Sequence, residues 1–132
     1  MRKRPLTKHS LIAILDDEHS FAQLALVTLK EIGFQNVVAF ETTEHFCHWP
    51  ELKNAEIIFI DVNLNEMNGL TILPWLKTKV PSARIIIFSG DTRKQVVSEA
   101  INLGACSFLS KLNLDKNIRV LFNKWNVNYP LS

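Results

Sequence analysis

The sequence predicts an α/β domain: a parallel β-sheet with helices packed on both faces. Three observations carry this. Short, unbroken apolar runs alternate with longer amphipathic stretches along the 132 residues. The apolar runs lack the in–out alternation of a half-exposed strand, as expected of strands buried on both faces. Five strand-like runs, the second less clear than the others, each lead into a helix-like stretch, and this repeated alternation is the pattern of a parallel sheet with crossover helices.

The first strand is Leu11-Ile12-Ala13-Ile14-Leu15. Phe21, Leu24, Ala25, Leu29 and Ile32 then recur at the spacing of one helix face. Ser20 or Asp17 is the expected cap of that helix, and Gly33 its stop. Asn36 to Phe40 is the second strand. Thr42 or Thr43 is placed to cap a short helix containing His45 and Phe46, which Pro50 must end. Ile57-Ile58-Phe59-Ile60 forms the third strand and runs straight into Asp61. After a loop with Asn63, Asn65, Asn68 and Gly69, Leu70, Ile72, Leu73 and Leu76 read as a helix. If Thr71 caps this helix, Pro74 falls in the first turn and is tolerated; an earlier start would make it a kink. Arg84 to Phe88 is the fourth strand, ending at Ser89-Gly90-Asp91. Val96, Val97, Ala100, Ile101 and Leu103 mark the next helix, with Gly104 as its stop. Cys106 to Leu109 is the fifth strand and leads to Ser110-Lys111. The last helix begins near Leu114 or Asp115 and buries Ile118, Leu121, Phe122 and Trp125, and Pro130 closes the chain.

Composition narrows the class. The length suits one domain with one ordinary core, and 47% hydrophobic residues exclude a disordered chain. The longest apolar stretches run about five residues, against the roughly 20 of a membrane span, so the chain is expected to be soluble and cytoplasmic. Cys47 and Cys106 fit no metal spacing and read as two free, partly buried thiols. His45 and His48 flank Cys47 as a surface cluster, with no further ligand near them. Arg2, Lys3, Arg4 and Lys8 make residues 1–10 a basic tail, expected to be solvated. Residues 11–132 carry a net charge of −2, which does not suggest a nucleic-acid-binding surface.

Asp16 and Asp17 follow the first strand, Asp61 the third, Ser89 the fourth and Lys111 the fifth. In a parallel sheet these ends share one edge, where ligands bind. Each residue alone has an ordinary explanation as a cap or turn. Together they bring three carboxylates, a hydroxyl and an ammonium into one cleft. Carboxylates so placed repel one another, and a hard divalent cation such as Mg²⁺ relieves that repulsion.

This order of residues resembles the receiver domain of two-component response regulators. Met67-Asn68-Gly69 matches the family's Met-x-Gly segment, and Gly104-Ala105 the usual Gly-Ala before the fifth strand. The resemblance implies a receiver domain over residues 11–126, with a C-terminal tail at 127–132. It implies a flavodoxin-like (βα)5 fold with strand order 2-1-3-4-5. Asp61 is then the phosphoacceptor, taking a phosphoryl group from a histidine kinase or histidine phosphotransfer protein. Mg²⁺ is held by Asp17, Asp61 and the backbone carbonyl of Asn63, with Asp16 acting through water. Lys111 and Ser89 contact phosphoryl oxygens, and Ser89 with Phe108 forms the switch that alters the face of helix four, strand five and helix five for a downstream protein or output domain. Activity is limited to self-phosphorylation and self-dephosphorylation, and a homodimer is a further expectation.

Two departures from the pattern matter. Leu112 stands where the family usually has Pro, so the peptide bond after Lys111 is expected to be trans. Asn65 replaces another common Pro. Three other readings compete. One is a receiver cut from a DNA-binding regulator, which would not itself bind DNA specifically, since no reading helix follows Ser132. Another is a phosphorylation-independent scaffold. The last is an enzyme on a similar scaffold, disfavoured because Asp16-Asp17-Glu18 would repel a bound phosphate and because the nearest approach to an Asp-x-Asp nucleophile, Asp61-Val62-Asn63, lies on the wrong strand.

Overall fold

The structure is a computed structural model that describes residues 5–127 and 131. The five apolar runs form β1 (Leu11–Leu15), β2 (Asn36–Phe40), β3 (Ile57–Asp61), β4 (Arg84–Ser89) and β5 (Ser107–Ser110). All neighbours pair in parallel, in the order β2-β1-β3-β4-β5. Between and after them run α1 (His19–Ile32), α2 (Thr43–Cys47), α3 (Leu73–Lys79), α4 (Lys94–Asn102) and α5 (Leu114–Lys124). The (βα)5 architecture and strand order expected above are both present.

Side chains alternate across a strand, so each strand feeds two cores. Ile12, Ile14, Ile57, Phe59, Ile86 and Phe88 pack with Ala25 and Leu29 of α1 and with Ile118 and Phe122 of α5. Ala13, Leu15, Ile58, Ile60, Ile85 and Ile87 pack on the other face with Phe46 of α2, Leu73 and Leu76 of α3, and Ala100 of α4. Helices therefore cover both faces. The strand order reverses between β1 and β3, which leaves a crevice at the carboxyl ends of these two neighbours.

The helix boundaries carry the corrections. Ser20 lies inside α1 and Asp17 outside it; Glu18 is the N-cap and makes no side-chain cap. The Asp16 carboxylate instead accepts a hydrogen bond from the Glu18 N–H at 2.9 Å, so an Asx turn starts the helix. Gly33 ends it with φ 124°, a left-handed value that suits glycine. Thr42 caps α2 by accepting from the His45 N–H at 3.2 Å. Thr71 does not cap α3. A 3-10 turn, Gly69–Ile72, comes first, capped by Asn68, and α3 starts at Leu73 with Pro74 in its first turn, where it is tolerated.

α4 buries only Ala100, and Ile101 is 46% exposed, so its apolar pattern overstates its burial. The fifth strand begins at Ser107, one residue later than its apolar run suggests. Both cysteines are free, but Cys106 is exposed rather than partly buried. Burial pushes the Cys47 thiol up. Trp125 sits at the end of α5 and is half-buried, with its ring edge-on to Phe122 at 5.4 Å.

Of the basic tail, Leu6 packs against the α1–α5 core, Ser10 is buried, and the Lys8 carbonyl accepts from the Gln35 N–H at 2.9 Å. Residues 1–4 and Pro130 lie outside the described residues. No helix among the described residues is long and apolar enough to cross a membrane.

Candidate functional site

Three buried polar residues meet at the carboxyl edge of the sheet. Asp16, directly after β1, is 0% exposed; Asp61, the last residue of β3, is 1% exposed; Lys111, directly after β5, is 7% exposed. The ammonium of Lys111 lies 2.9 Å from Asp16 Oδ2 and 3.1 Å from Asp61 Oδ2. It also lies 3.1 Å from Oε1 of Glu18, whose side chain is 56% exposed. It donates a hydrogen bond to Glu18, and among the described residues Oδ2 of Asp16 and of Asp61 meet it as close ion pairs without a well-directed donor. The rings of Phe21 and Phe88 flank the ammonium at 4.5 and 5.3 Å.

The electrostatics follow from crowding. Burial raises the pKa of Asp61 to about 6; repulsion from Asp16 adds to the rise, and Lys111 and the Asn63 N–H oppose it without winning. Asp16 is raised too, chiefly by burial, against the Glu18 N–H and Lys111. For Lys111 the balance reverses: burial pulls its pKa down, but Asp16 and Asp61 outweigh it and the net shift is upward. One cation thus serves two buried carboxylates, leaving two buried oxygens without a directed donor. A further hard cation with a preference for oxygen fits that deficit. Among the described residues, Asp16, Glu18 and Asp61 form the grouping whose oxygens lie within 4.8 Å of one another.

The other expected residues are placed around this centre. Asp17 is half-buried on the turn between β1 and α1, outside the carboxylate grouping. Asn63 is exposed, its N–H bonds Asp61, and it bridges to Asn68 across the loop after β3. Gly69 closes that loop, its N–H donating to the Val62 carbonyl. A Cβ at Gly69 would overlap the Asp61 carbonyl oxygen, so the close approach requires glycine. Ser89 ends β4 and is fully buried; its hydroxyl accepts from the Asp91 N–H at 3.0 Å. Asp91 is in turn clasped by Arg93 through bonds of 2.9 and 2.6 Å. Phe108 is half-buried and lines an open cleft of about 310 Å³ between β5 and α5.

Leu112 has a role that proline could not fill. Its N–H donates to Ser110 Oγ at 3.0 Å, and Asn117 Nδ2 holds the carbonyls of Ser110 and Leu112. The loop that delivers Lys111 is thus fixed by hydrogen bonds. Sequence reasoning missed Glu18 as a member of the site. The signal was the acidic run Asp16-Asp17-Glu18, since a turn after β1 can bring its first and third residues together.

A protein-family model for the response regulator receiver domain matches residues 12–122. An NtrX-like response regulator of Rickettsia typhi is 34% identical over 113 residues, covering 83% of this chain and 24% of its own. The chain therefore spans about a quarter of the length of such relatives. The chemotaxis protein CheY of Listeria monocytogenes is 30% identical over 101 residues, covering 76% of this chain and 84% of its own. Among solved structures, the BeF3-activated DrrB receiver domain superposes with a TM-score of 0.80 at 19% identity, covering 91% of this chain and 99% of that one. The chain belongs to the response regulator receiver domain family of two-component systems.

Proposed function

We propose that this receiver domain takes a phosphoryl group from a phosphohistidine of a sensor kinase or histidine phosphotransfer protein onto Asp61. The observation that carries the reading is the meeting of two buried carboxylates with one ammonium at the reversal point of the sheet. Asp16, Asp17, Asp61 and the Asn63 carbonyl would hold Mg²⁺, in keeping with the undonated oxygens of Asp16 and Asp61. When bound, Mg²⁺ supplies positive charge that offsets the carboxylates and the phosphoryl oxygens.

An Asp61 oxygen attacks phosphorus, the P–N bond breaks, and its electron pair leaves with the imidazole. The carboxylate needs no base once ionised, and a pKa of about 6 leaves it mostly ionised near pH 7.5. Lys111, 3.1 Å from Asp61, is within reach of phosphoryl oxygens carried there. Charge develops on those oxygens, so fixed positive groups do most of the catalytic work. Ser89 reaches the phosphoryl group by giving up its bond from the Asp91 N–H, which draws the loop after β4 with it. That movement, with Phe108, biases the face of α4, β5 and α5 towards a downstream protein or output domain. Water attack on the acyl phosphate resets the switch. In this reading the chain has no enzymatic activity beyond self-phosphorylation and self-dephosphorylation, and it acts in the cytoplasm.

The test is intact-mass measurement after incubation with Mg²⁺ and acetyl phosphate. The wild type gains one phosphoryl group and Asp61→Asn gains none. An equal gain in both, or none in either, overturns the assignment and favours a phosphorylation-independent scaffold. The NtrX-like relatives carry the matching segment within longer chains, which favours a second form of the reading: an output domain joined to the receiver.

A further inference from the structure

We propose that Glu18 is a positioning residue that latches the Lys111 ammonium in the resting protein, and that Lys111 must leave it to meet a phosphoryl group on Asp61. The proposal rests on Asp61 being the phosphoacceptor. Of the three carboxylates around Nζ, at 2.9, 3.1 and 3.1 Å, that of Glu18 is the exposed one, and it accepts a hydrogen bond from the ammonium at 3.1 Å.

The two kinds of partner differ in freedom. Asp16 and Asp61 are sealed in the sheet edge. Glu18 has a fixed backbone: its N–H donates to Asp16 Oδ1 at 2.9 Å, and its carbonyl accepts from the Ala22 N–H at 3.0 Å. Its carboxylate, by contrast, is more than half exposed and free to swing on its own torsions. The Lys111 ammonium lies 4.5 and 5.3 Å from the Phe21 and Phe88 ring centroids, which limits where it can move. The phosphoryl group carries roughly −1.5 to −2 charge on three acceptor oxygens at Asp61, in place of the single charge of the ionised carboxylate. The ammonium has three donors, and one held by Glu18 is lost to those oxygens. The latch therefore keeps one of the Lys111 donors from the phosphoryl oxygens, although Lys111 already pairs with Asp61 at 3.1 Å, until the incoming charge outcompetes an exposed carboxylate.

Charge alone gives a rival explanation, because Glu18 also repels an anionic donor. Glu18→Gln removes both charge and latch. Glu18→Asp keeps the charge but is one methylene too short to hold Nζ. The experiment follows phosphorylation by acetyl phosphate with Mg²⁺ in the wild type and both variants by intact mass. It also records the ¹⁵N resonance of Lys111 Nζ in the metal-free proteins. The expected result is a shifted Nζ resonance in both variants and phosphorylation roughly two- to tenfold faster in both. Wild-type rates in both variants overturn the latch, whether or not the resonance moves. Acceleration confined to Glu18→Gln assigns the effect to charge and also overturns it. If the wild type itself gains no phosphoryl group, the phosphoacceptor reading fails and the latch with it, an outcome distinct from the others.

Discussion

Replacing Asp61 by Asn should make this protein more stable above pH 7. The folded state holds Asp61 at a pKa of about 6, against 3.8 for the unperturbed group, mainly through burial and then through repulsion from Asp16. A raised carboxylate pKa means that the folded protein binds the proton more tightly than the unfolded chain does. This favourable contribution is complete below about pH 4 and is lost as the pH rises through about 6. At pH 7.5 the ionised Asp61 then costs on the order of 3 kcal/mol. That figure is an upper one, because Asn also gives up Asp61's share of the Lys111 ammonium at 3.1 Å. A net gain of about 2 kcal/mol remains. With a urea m-value near 2 kcal/mol per molar, the unfolding midpoint of Asp61→Asn should rise by about 1 M at pH 7.5. At pH 4 the difference should shrink towards zero, because the wild-type carboxyl is then protonated. Urea unfolding followed by tryptophan fluorescence at both pH values is the assay, in metal-free buffer. A variant less stable than wild type at pH 7.5, or equally stabilised at both pH values, would refute the claim that Asp61 is held against its own ionisation.

Lys111→Met should have the opposite sign. It leaves Asp16 and Asp61 as unpaired buried charges and should cost about 3–5 kcal/mol at pH 7.5. The loss should be largely recovered near pH 4, as denaturant midpoints across the pH range will record. Gly69→Ala places a methyl group against the Asp61 carbonyl oxygen. Roughly 1–3 kcal/mol of stability and most of the phosphoryl uptake should be lost together, as urea melts and intact mass would show. Phe122→Ala empties a fully buried site between the rings of Phe34 and Trp125. It should cost about 3–5 kcal/mol by the same melts and leave the acceptor site chemically intact.

The α/β class and the order of elements were legible because burial on two faces leaves a mark on every strand. Ile57 to Ile60 and Ile85 to Phe88 are unbroken apolar runs because neither face of the sheet meets water. The polar residue ending each run, Asp61 at the end of β3 and Ser89 at the end of β4, was legible for the same reason. A parallel sheet carries all such ends to one edge, so their convergence followed from local pattern alone. Boundaries were less legible. Ser20 and Thr71 are good capping residues by type. The chain instead starts α1 through the Asx turn of Asp16 and precedes α3 with a 3-10 turn capped by Asn68. Both choices are made by side-chain torsions in turns, which propensity does not report.

The sequence by itself determined the sheet, its two cores and the residue types at its carboxyl edge. Hydrophobic periodicity is a local property, and strand ends inherit their position from it. Only the tertiary structure decided which acids share the ammonium. Asp16 is sealed beside Lys111, Asp17 stands outside the grouping, and Glu18 reaches back from the N-cap of α1. It also showed that Leu112 does what proline could not, donating its N–H to Ser110 to fix the loop that carries Lys111. The reason is physical. Distances between residues 93 positions apart, such as Glu18 and Lys111, depend on how strands close into a sheet. Burial and the like charge of Asp16 at that closure, rather than residue type, raise the pKa of Asp61.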